Sequence, residues 1–143
     1  MDRTIRDIIA QQVPVTAPAQ TLVREAAQVM QQRRIGAMLV VEHGVLVGLF
    51  TERDALYRVV AEGRDPQTTT LADVMTHNPQ TIGPDASFSA ALELMHTGRF
   101  RHVPVVEAGR PIGMLSVRDA LGPELESFVY EMLRQERVSE VLA

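Results

Sequence analysis

The sequence predicts a mixed α/β (α+β) fold in which one β-α-β-β-α unit occurs twice, and three observations lead to it. The pattern around Gly48 returns without a gap around Gly113, 65 positions later. Each copy contains segments with the apolar spacing of helices and others with the spacing of strands. Of the 143 residues, 45% are apolar but only 4% are aromatic. Such a composition suits aliphatic cores in which helices pack on sheets.

The repeat is clearest between residues 30 and 56, which align with residues 95 to 121. Eleven of the 27 aligned positions are identical, where chance gives about two. A repeat of this length is one supersecondary unit that needs its neighbour to bury its apolar face. The identical pairs are Met30/Met95, Arg34/Arg99, Val40/Val105, Val41/Val106, Glu42/Glu107, Gly44/Gly109, Gly48/Gly113, Arg53/Arg118, Asp54/Asp119, Ala55/Ala120 and Leu56/Leu121.

The first half of each copy is predicted to consist of a short helix, a brief strand and a longer helix. The longer helices carry apolar residues at spacings of three, four and seven, and Thr21 and Ser87 are placed to cap their N-termini. The short helices are predicted at residues 5–10 and 71–75, and the brief strands at residues 13–16 and 80–82.

The second half of each copy is predicted to be a β-hairpin followed by another helix. Gly44 and Gly109 lie in the tight turns between the strands. The helices that leave the hairpins are predicted to begin at Glu52 and Val117. The predicted strands are residues 37–41 with 45–50 in the first copy and residues 102–106 with 111–115 in the second.

These elements divide the chain into two repeats joined by a polar connection. The first repeat covers residues 4–62 and the second covers residues 71–122. Residues 63–70 contain a Pro and three consecutive Thr without apolar periodicity, which is typical of a linker. Residues 123–143 are predicted to form a C-terminal helix whose apolar face needs a partner.

Composition and charge argue against several classes of function. The net charge of −4 disfavours a nucleic-acid binder, which normally carries a basic excess. Because the chain has no Cys and its four His lack ligand spacing, we expect no metal site. No segment has the pattern of a signal peptide or a membrane span. We therefore expect a cytoplasmic protein that binds neither nucleic acid nor membrane.

The end of each hairpin carries a motif suited to binding a phosphorylated sugar. A strand runs into a helix whose first turn has Thr or Ser, followed three residues later by Asp with an Arg beside it. The N–H groups and the dipole of such a helix start attract anions, and the Arg adds a cation. The same side chains also form a capping box that needs no ligand, so both interpretations stay open. The residues are Thr51, Arg53 and Asp54 in the first copy and Ser116, Arg118 and Asp119 in the second.

A second group of candidate residues lies where the chain enters the strand at residues 102–106. Arg101 and His102 can point from this position into a cleft and toward a phosphate. A solvated rim is the alternative role for Arg101. Gly48 and Gly113 would let a flat base or another backbone approach the hairpins. Polar contacts for phosphate and sugar beside an apolar wall are the usual composition of a nucleotide pocket.

These segments resemble the CBS domain family, named after cystathionine β-synthase, in which two copies form a Bateman module. Residues 48–54 and 113–119 both fit the family pattern of Gly, two apolar residues, Thr or Ser, and Asp three residues later. Residues 101–106 resemble the family strand that ends in Pro-Val and lies against the base, with Pro104 at the proline position. The first copy has Leu39 there, so the two clefts are expected to differ.

The resemblance implies a regulatory module without catalytic activity. In the family the motif Asp accepts hydrogen bonds from ribose hydroxyls, the Ser or Thr lies near the phosphate, and strand backbone groups hold the adenine. The implied ligand is AMP, ADP or ATP, with NAD or S-adenosylmethionine as further candidates, bound in clefts between the repeats. The resemblance also implies pseudo-two-fold packing of the repeats, a homodimer and a regulated partner protein.

An enzyme is not expected from this sequence. Catalysis would need a nucleophile with its base, a spaced carboxylate pair or a cofactor fingerprint. Apart from the doubled motif, the sequence has no group of residues that could serve as one of these. The G-x-G-x-x-G and P-loop patterns are absent. The alternative to a nucleotide sensor is a ligand-free dimerisation or adaptor domain in which the motifs are only helix caps.

Overall fold

The computed structural model describes residues 3–120 and 130–136, which form two sheets flanked by helices. The first part of the chain contains α1 (Ile5–Ile9), β1 (Thr16–Ala17), α2 (Val23–Arg33), β2 (Ala37–Glu42) and β3 (Val45–Thr51). Helix α3 (Glu52–Asp54) follows and continues as a π-helical segment over Ala55–Val60. The second part contains α4 (Leu71–Val74), β4 (Thr76–His77), α5 (Phe88–Gly98), β5 (His102–Glu107), β6 (Arg110–Ser116) and α6 (Val117–Ala120).

Both predicted hairpins are present, and they have the same register. Ala37 of β2 faces Thr51 of β3, and the equivalent His102 of β5 faces Ser116 of β6. The glycines in the two turns have φ angles of +79° and +78°, which residues with a side chain rarely adopt. The helices that leave the hairpins begin at Glu52 and Val117, as predicted. The two repeats therefore share one local structure.

The two short helices each pack on the hairpin of the other copy. Ile5 and Ile9 of α1 are buried in one cluster with Leu115 of β6, although α1 is the first helix of the first repeat. Leu71 of α4 lies in the opposite cluster with Phe50 of β3. Each core thus contains a segment from both copies, and the repeats pack as a pseudo-two-fold pair that cannot separate without opening both cores.

The brief strands predicted at residues 13–16 and 80–82 are shorter than expected, and their bounds were wrong. β1 pairs with β2, in parallel, over only two residues. In the second copy only Ile82 forms a bridge, parallel to β5. Pro14 and Pro79 lack the N–H that a strand ladder requires, so the chain around them is irregular. These irregular segments line the clefts between the repeats.

One of the two predicted helix caps is correct. Ser87 caps α5, since its side chain accepts a hydrogen bond from a backbone N–H of the first turn. The cap predicted at Thr21 is wrong, because α2 begins at Val23 after Leu22 and no described side chain caps it. Instead, the backbone carbonyl of Thr69 accepts a hydrogen bond from the N–H of Val23 over 2.9 Å. The connection between the repeats therefore lies against the start of α2.

The predicted C-terminal helix is described only in part. Residues 130–136 are helical, whereas residues 123–129 and 137–143 lie outside the described residues. Within residues 3–120 and 130–136, no helix is long and apolar enough to cross a membrane. The same residues contain no cluster of His, Asp and Glu side chains that could hold a metal ion.

Candidate functional site

The two strand-to-helix motifs adopt the same capping-box geometry. The backbone N–H and the hydroxyl of Thr51 donate to Oδ2 of Asp54 over 2.9 and 3.1 Å, and the Thr51 hydroxyl accepts from the N–H of Asp54 over 3.2 Å. The equivalent distances between Ser116 and Asp119 are 3.0, 3.1 and 3.2 Å. The boxes cap their helices and leave Oδ1 of each Asp for other contacts.

Asp54 and Asp119 differ in what surrounds this remaining oxygen. Oδ1 of Asp54 lies 3.6 Å from Nε of Arg58, and Asp54 is only 6% exposed. Arg58 also donates hydrogen bonds to two backbone carbonyls at the end of α4. Within residues 3–120 and 130–136, no hydrogen bond or ion pair involves Oδ1 of Asp119, and the repeat equivalent of Arg58 is Pro123. Asp119 therefore offers a free carboxylate oxygen, whereas Asp54 shares its own with Arg58.

The first cleft lies beside Asp54 and has a volume of about 680 Å³. Its walls are the motif of the first repeat, residues 76 and 78–80 and the start of β5, so both repeats contribute to it. Cations are prominent in its lining. The lining includes Leu49, Thr51, Glu52, Arg53, Asp54, Tyr57, Arg58, Phe100, Arg101 and His102.

The second cleft lies beside Asp119 and has a volume of about 850 Å³. It combines the motif of the second repeat with residues 12–15 and 34–37 of the first. A continuous apolar wall next to a carboxylate and several guanidinium groups suits a base with a phosphorylated sugar. The apolar lining is Val13, Pro14, Val15, Ile35, Ala37, Leu39 and Met114, and the polar lining includes Arg34, Ser116, Arg118 and Asp119.

Four residues line both clefts and form the wall between them: Gly36, Glu52, Arg101 and His102. The wall is tight at Gly36, where an added Cβ would lie 3.2 Å from Nε2 of His102. The pseudo-symmetry is broken here, because the first-repeat equivalents of Arg101 and His102 are Gly36 and Ala37. A ligand in either cleft therefore meets the same Arg101 and His102.

The position of His102 in this wall lowers the pKa of its imidazole. Burial lowers the pKa of His102 below its ordinary value, because the charged form loses hydration. The carboxylates of Glu52 and Asp119 act to raise this pKa, and the guanidinium of Arg101 acts to lower it. The net direction is downward, so the folded protein favours the neutral form of His102.

Replacement of His102 by Gln should reduce the sensitivity of the fold to acid. The folded state disfavours protonated His102, so this stability is complete above the ordinary His pKa of about 6.5 and is lost as the pH falls below it. Thermal unfolding between about pH 7 and pH 5 measures the effect. The melting temperature of His102→Gln should change less over this window than that of the wild type. His43→Asn, in an exposed turn, is the control; identical pH profiles for wild type and His102→Gln would contradict the prediction.

The clefts bring together eight of the nine residues predicted for the site. Pro104 is the exception, because it is fully buried within β5 and lines neither cleft. Leu39, at the corresponding position of the first copy, does line the second cleft. Thr51, Arg53 and Asp54 line the first cleft, Ser116, Arg118 and Asp119 line the second, and Arg101 and His102 line both.

Several lining residues were missed from the sequence. The spacing of four between Asp54 and Arg58 could have indicated their ion pair, since such residues are neighbours on a helix. Glu52 lies inside the motif, but nothing in the motif indicates that it lines both clefts. No local signal places residues 12–15 opposite the motif of the second repeat, because their position follows from the packing of α1 on that repeat.

Comparison with known proteins assigns both repeats to one family. The model of the CBS domain family matches residues 5–61 and 71–123. The CBS domain-containing protein YhcV of Bacillus subtilis (strain 168) is 36% identical over 116 residues, which cover 81% of this chain and 81% of that protein. The CBS domain-containing protein CBSCBSPB3 of Arabidopsis thaliana is 36% identical over 121 residues, which cover 84% of this chain but only 22% of that protein. The chain spans most of the first relative and about a fifth of the second.

Solved structures with the same fold include complexes with adenosine compounds. The CBS-domain containing protein ATU1752 from Agrobacterium tumefaciens has a TM-score of 0.76 at 32% identity, over 83% of this chain and 97% of that one. The CBS domain protein PAE2072 from Pyrobaculum aerophilum, complexed with AMP, has a TM-score of 0.75 at 26% identity, over 82% and 89%. The CBS domain pair of protein MJ0100, in complex with 5′-methylthioadenosine and S-adenosyl-L-methionine, has a TM-score of 0.75 at 26% identity, over 83% and 93%.

Proposed function

Because the chain belongs to the CBS domain family, we propose that it is a regulatory module that binds an adenine nucleotide in the clefts between its two repeats. AMP, ADP or ATP is the proposed ligand, with NAD or S-adenosylmethionine as further candidates. The observation that carries the proposal is the second cleft, where Asp119 has a free carboxylate oxygen beside an apolar wall. The similar structures that hold AMP or S-adenosyl-L-methionine add support from related proteins.

The second cleft offers a partner for each part of such a ligand. A ribose hydroxyl would donate to Oδ1 of Asp119, because Oδ2 already accepts two hydrogen bonds inside the capping box. The adenine would pack on the apolar wall that includes Val15 and Leu39. The phosphate would face Arg101 and Arg118, whose guanidinium groups bind phosphate oxygens in pairs.

Regulation would follow from the way the clefts are built. A ligand in the second cleft touches the motif of one repeat and residues 12–15 of the other, so it stabilises only arrangements that keep both contacts. Since α1 packs on the second repeat, a change in this arrangement would also reach the exposed helices. A partner that reads these helices would sense the nucleotide through a coupling free energy between two sites. No catalytic step is proposed.

The proposal includes a cytoplasmic homodimer. The π-helical segment after α3 exposes Leu56, Tyr57 and Val60 by 55%, 59% and 69%, and an apolar surface of this kind favours a protein partner. In the described part of the C-terminal region, Tyr130 and Leu133 are exposed by 70% and 54%. A second copy of the chain would cover these side chains, and the regulated protein would bind the paired modules.

The ligand-free adaptor is the second candidate function. Both capping boxes are complete without any ligand, so Asp54 and Asp119 already stabilise their helices. A cap of this kind contributes about 1 kcal/mol on its own. This contribution would be enough to explain the motifs if the clefts stayed empty in solution.

Calorimetric titration of the nucleotide-free protein separates the two candidates. AMP, ADP, ATP, NAD and S-adenosylmethionine are added in turn, and at least one should bind saturably with a dissociation constant of about 1 to 100 μM. GMP serves as the control for the base. Absence of binding heat with all five adenosine compounds, confirmed by an unchanged melting temperature, would favour the adaptor.

A further inference from the structure

A third concavity lies outside the two clefts and is lined by cations. It has a volume of about 650 Å³ and lies between the end of α5 and the start of α3. Arg53, His96, Arg99 and Arg101 line it, and we call it the basic groove. None of its lining residues is Asp or Glu. The groove therefore combines three guanidinium groups and an imidazole without a carboxylate.

The arginines of the basic groove have no charged partner in the part of the chain that the structure describes. The contact that Arg53 makes is with a neutral acceptor, since its Nη1 donates to the backbone carbonyl of Arg99 over 3.2 Å. Like charges that line one groove repel each other and raise the positive potential there. The C-terminal end of α5 contributes only about half a negative charge, which does not offset three guanidinium groups. An anion would remove this repulsion.

The equivalent surface of the first repeat is much less basic. The positions that correspond to His96 and Arg101 there hold Gln31 and Gly36. The groove thus has four basic side chains where the equivalent positions have two. The repeats share the same backbone elements. The difference in charge is therefore due to His96 and Arg101 and is not a general property of the fold.

The basic groove is continuous with the first cleft. Arg53, Phe100 and Arg101 line both the groove and the cleft. Asp54 in this cleft is buried and shares Oδ1 with Arg58, so it is a weaker ribose acceptor than Asp119. A ligand of the first cleft therefore depends more on its phosphates, and the groove adds His96 and Arg99 to the cations of this cleft.

We propose that the basic groove binds the terminal phosphates of a nucleotide held in the first cleft, so that this cleft selects nucleoside di- and triphosphates over monophosphates. The inference rests on the proposed function, because it takes nucleotide binding between the repeats as its starting point. Guanidinium groups suit this role, since each can bind two phosphate oxygens at once and stays charged at all physiological pH values.

Arg99 allows the groove to be tested without disturbing either cleft. It lines the groove but neither cleft. Its φ of 57° is left-handed, so Asn is the replacement that preserves the backbone, because Asn tolerates this region. In Arg99→Asn the affinity of the first cleft for ATP should fall about tenfold, while its affinity for AMP should stay within about twofold. Arg33→Gln, which removes an exposed charge outside the groove and both clefts, should change neither.

Calorimetric titration of the wild type and both variants with AMP and ATP distinguishes the outcomes. Unchanged ATP affinity in Arg99→Asn, or an equal loss for AMP and ATP, would overturn the groove and leave the proposed function standing. Failure of both nucleotides to bind the wild type would overturn the proposed function itself. Inorganic tripolyphosphate is the separate probe for the groove, and its binding to the wild type should be weaker than that of ATP and lost in Arg99→Asn.

Discussion

Asp119→Asn should weaken AMP binding by about 10- to 100-fold while the protein stays folded. The substitution keeps the shape of the side chain and an oxygen that can accept from the backbone N–H of Ser116, so the helix start is largely preserved. It removes the negatively charged acceptor to which the ribose hydroxyls would donate hydrogen bonds. Hydrogen bonds to a charged acceptor contribute about 1.5 to 3 kcal/mol, which sets the expected loss.

Asp54→Asn is the matched control for this substitution, because it makes the same chemical change in the equivalent capping box of the first repeat. Its effect on AMP should be smaller, since Arg58 already occupies Oδ1 of Asp54. Titration with 2′-deoxy-AMP tests the ribose contact from the ligand side. The wild type should bind it more weakly than AMP, whereas Asp119→Asn should bind the two alike. Unchanged AMP affinity in Asp119→Asn would assign Asp119 to the helix cap alone.

Gly113→Ala should reduce the free energy of unfolding by about 2 kcal/mol, because β6 and α1 are in direct contact at this glycine. An added Cβ would lie 2.8 Å from Cβ of Ile9 and 2.9 Å from its Cδ1 and Cγ2. Ile9 is buried and branched next to its backbone, so it can give way only if α1 moves. Urea denaturation followed by circular dichroism measures the loss.

Gly48→Ala provides the comparison in the other repeat. The added Cβ there would overlap the thioether of Met75, which is unbranched and flexible and can adopt another rotamer. The expected loss of stability is therefore smaller than in Gly113→Ala. Equal losses in the two variants, or no loss in Gly113→Ala, would contradict the close packing of α1 on the second repeat.

The repeat, the hairpins and the motif could be predicted because their signals are local. Gly44 and Gly109 mark turns, strands alternate around them, and the motif follows each hairpin at a fixed distance. The start of α2 could not be predicted from Thr21, because the cap is the backbone carbonyl of Thr69, which is distant in the sequence. Local periodicity also does not indicate that α1 and α4 each pack on the hairpin of the other copy.

The candidate site was predictable to the extent that its residues lie in the motif. Arg101 and His102 could be predicted because they lie where the chain enters β5, but their place in the wall between the clefts depends on Gly36 of the other repeat. The difference between the two Asp residues depends on Arg58 and is not visible in the repeated pattern itself. Sequence similarity between repeats therefore indicates two clefts, whereas their different chemistry follows from tertiary contacts.

The difference between the clefts gives the proposed module two modes of binding. The second cleft, with its apolar wall and the free oxygen of Asp119, suits the adenosine part of a ligand. The first cleft, with Arg53 and Arg58 and the adjoining basic groove, suits the phosphates. Because Arg101 lines both clefts, ligands in the two clefts would share one guanidinium group, and binding in one would influence the other.

The proposed function requires that an adenine nucleotide binds between the repeats and contacts both of them. A crystal structure of the protein with AMP tests this claim most directly. We expect the adenine on the apolar wall of the second cleft and a ribose hydroxyl within hydrogen-bond distance of Oδ1 of Asp119. AMP bound outside both clefts, or in contact with only one repeat, would rule out regulation by a nucleotide held between the repeats.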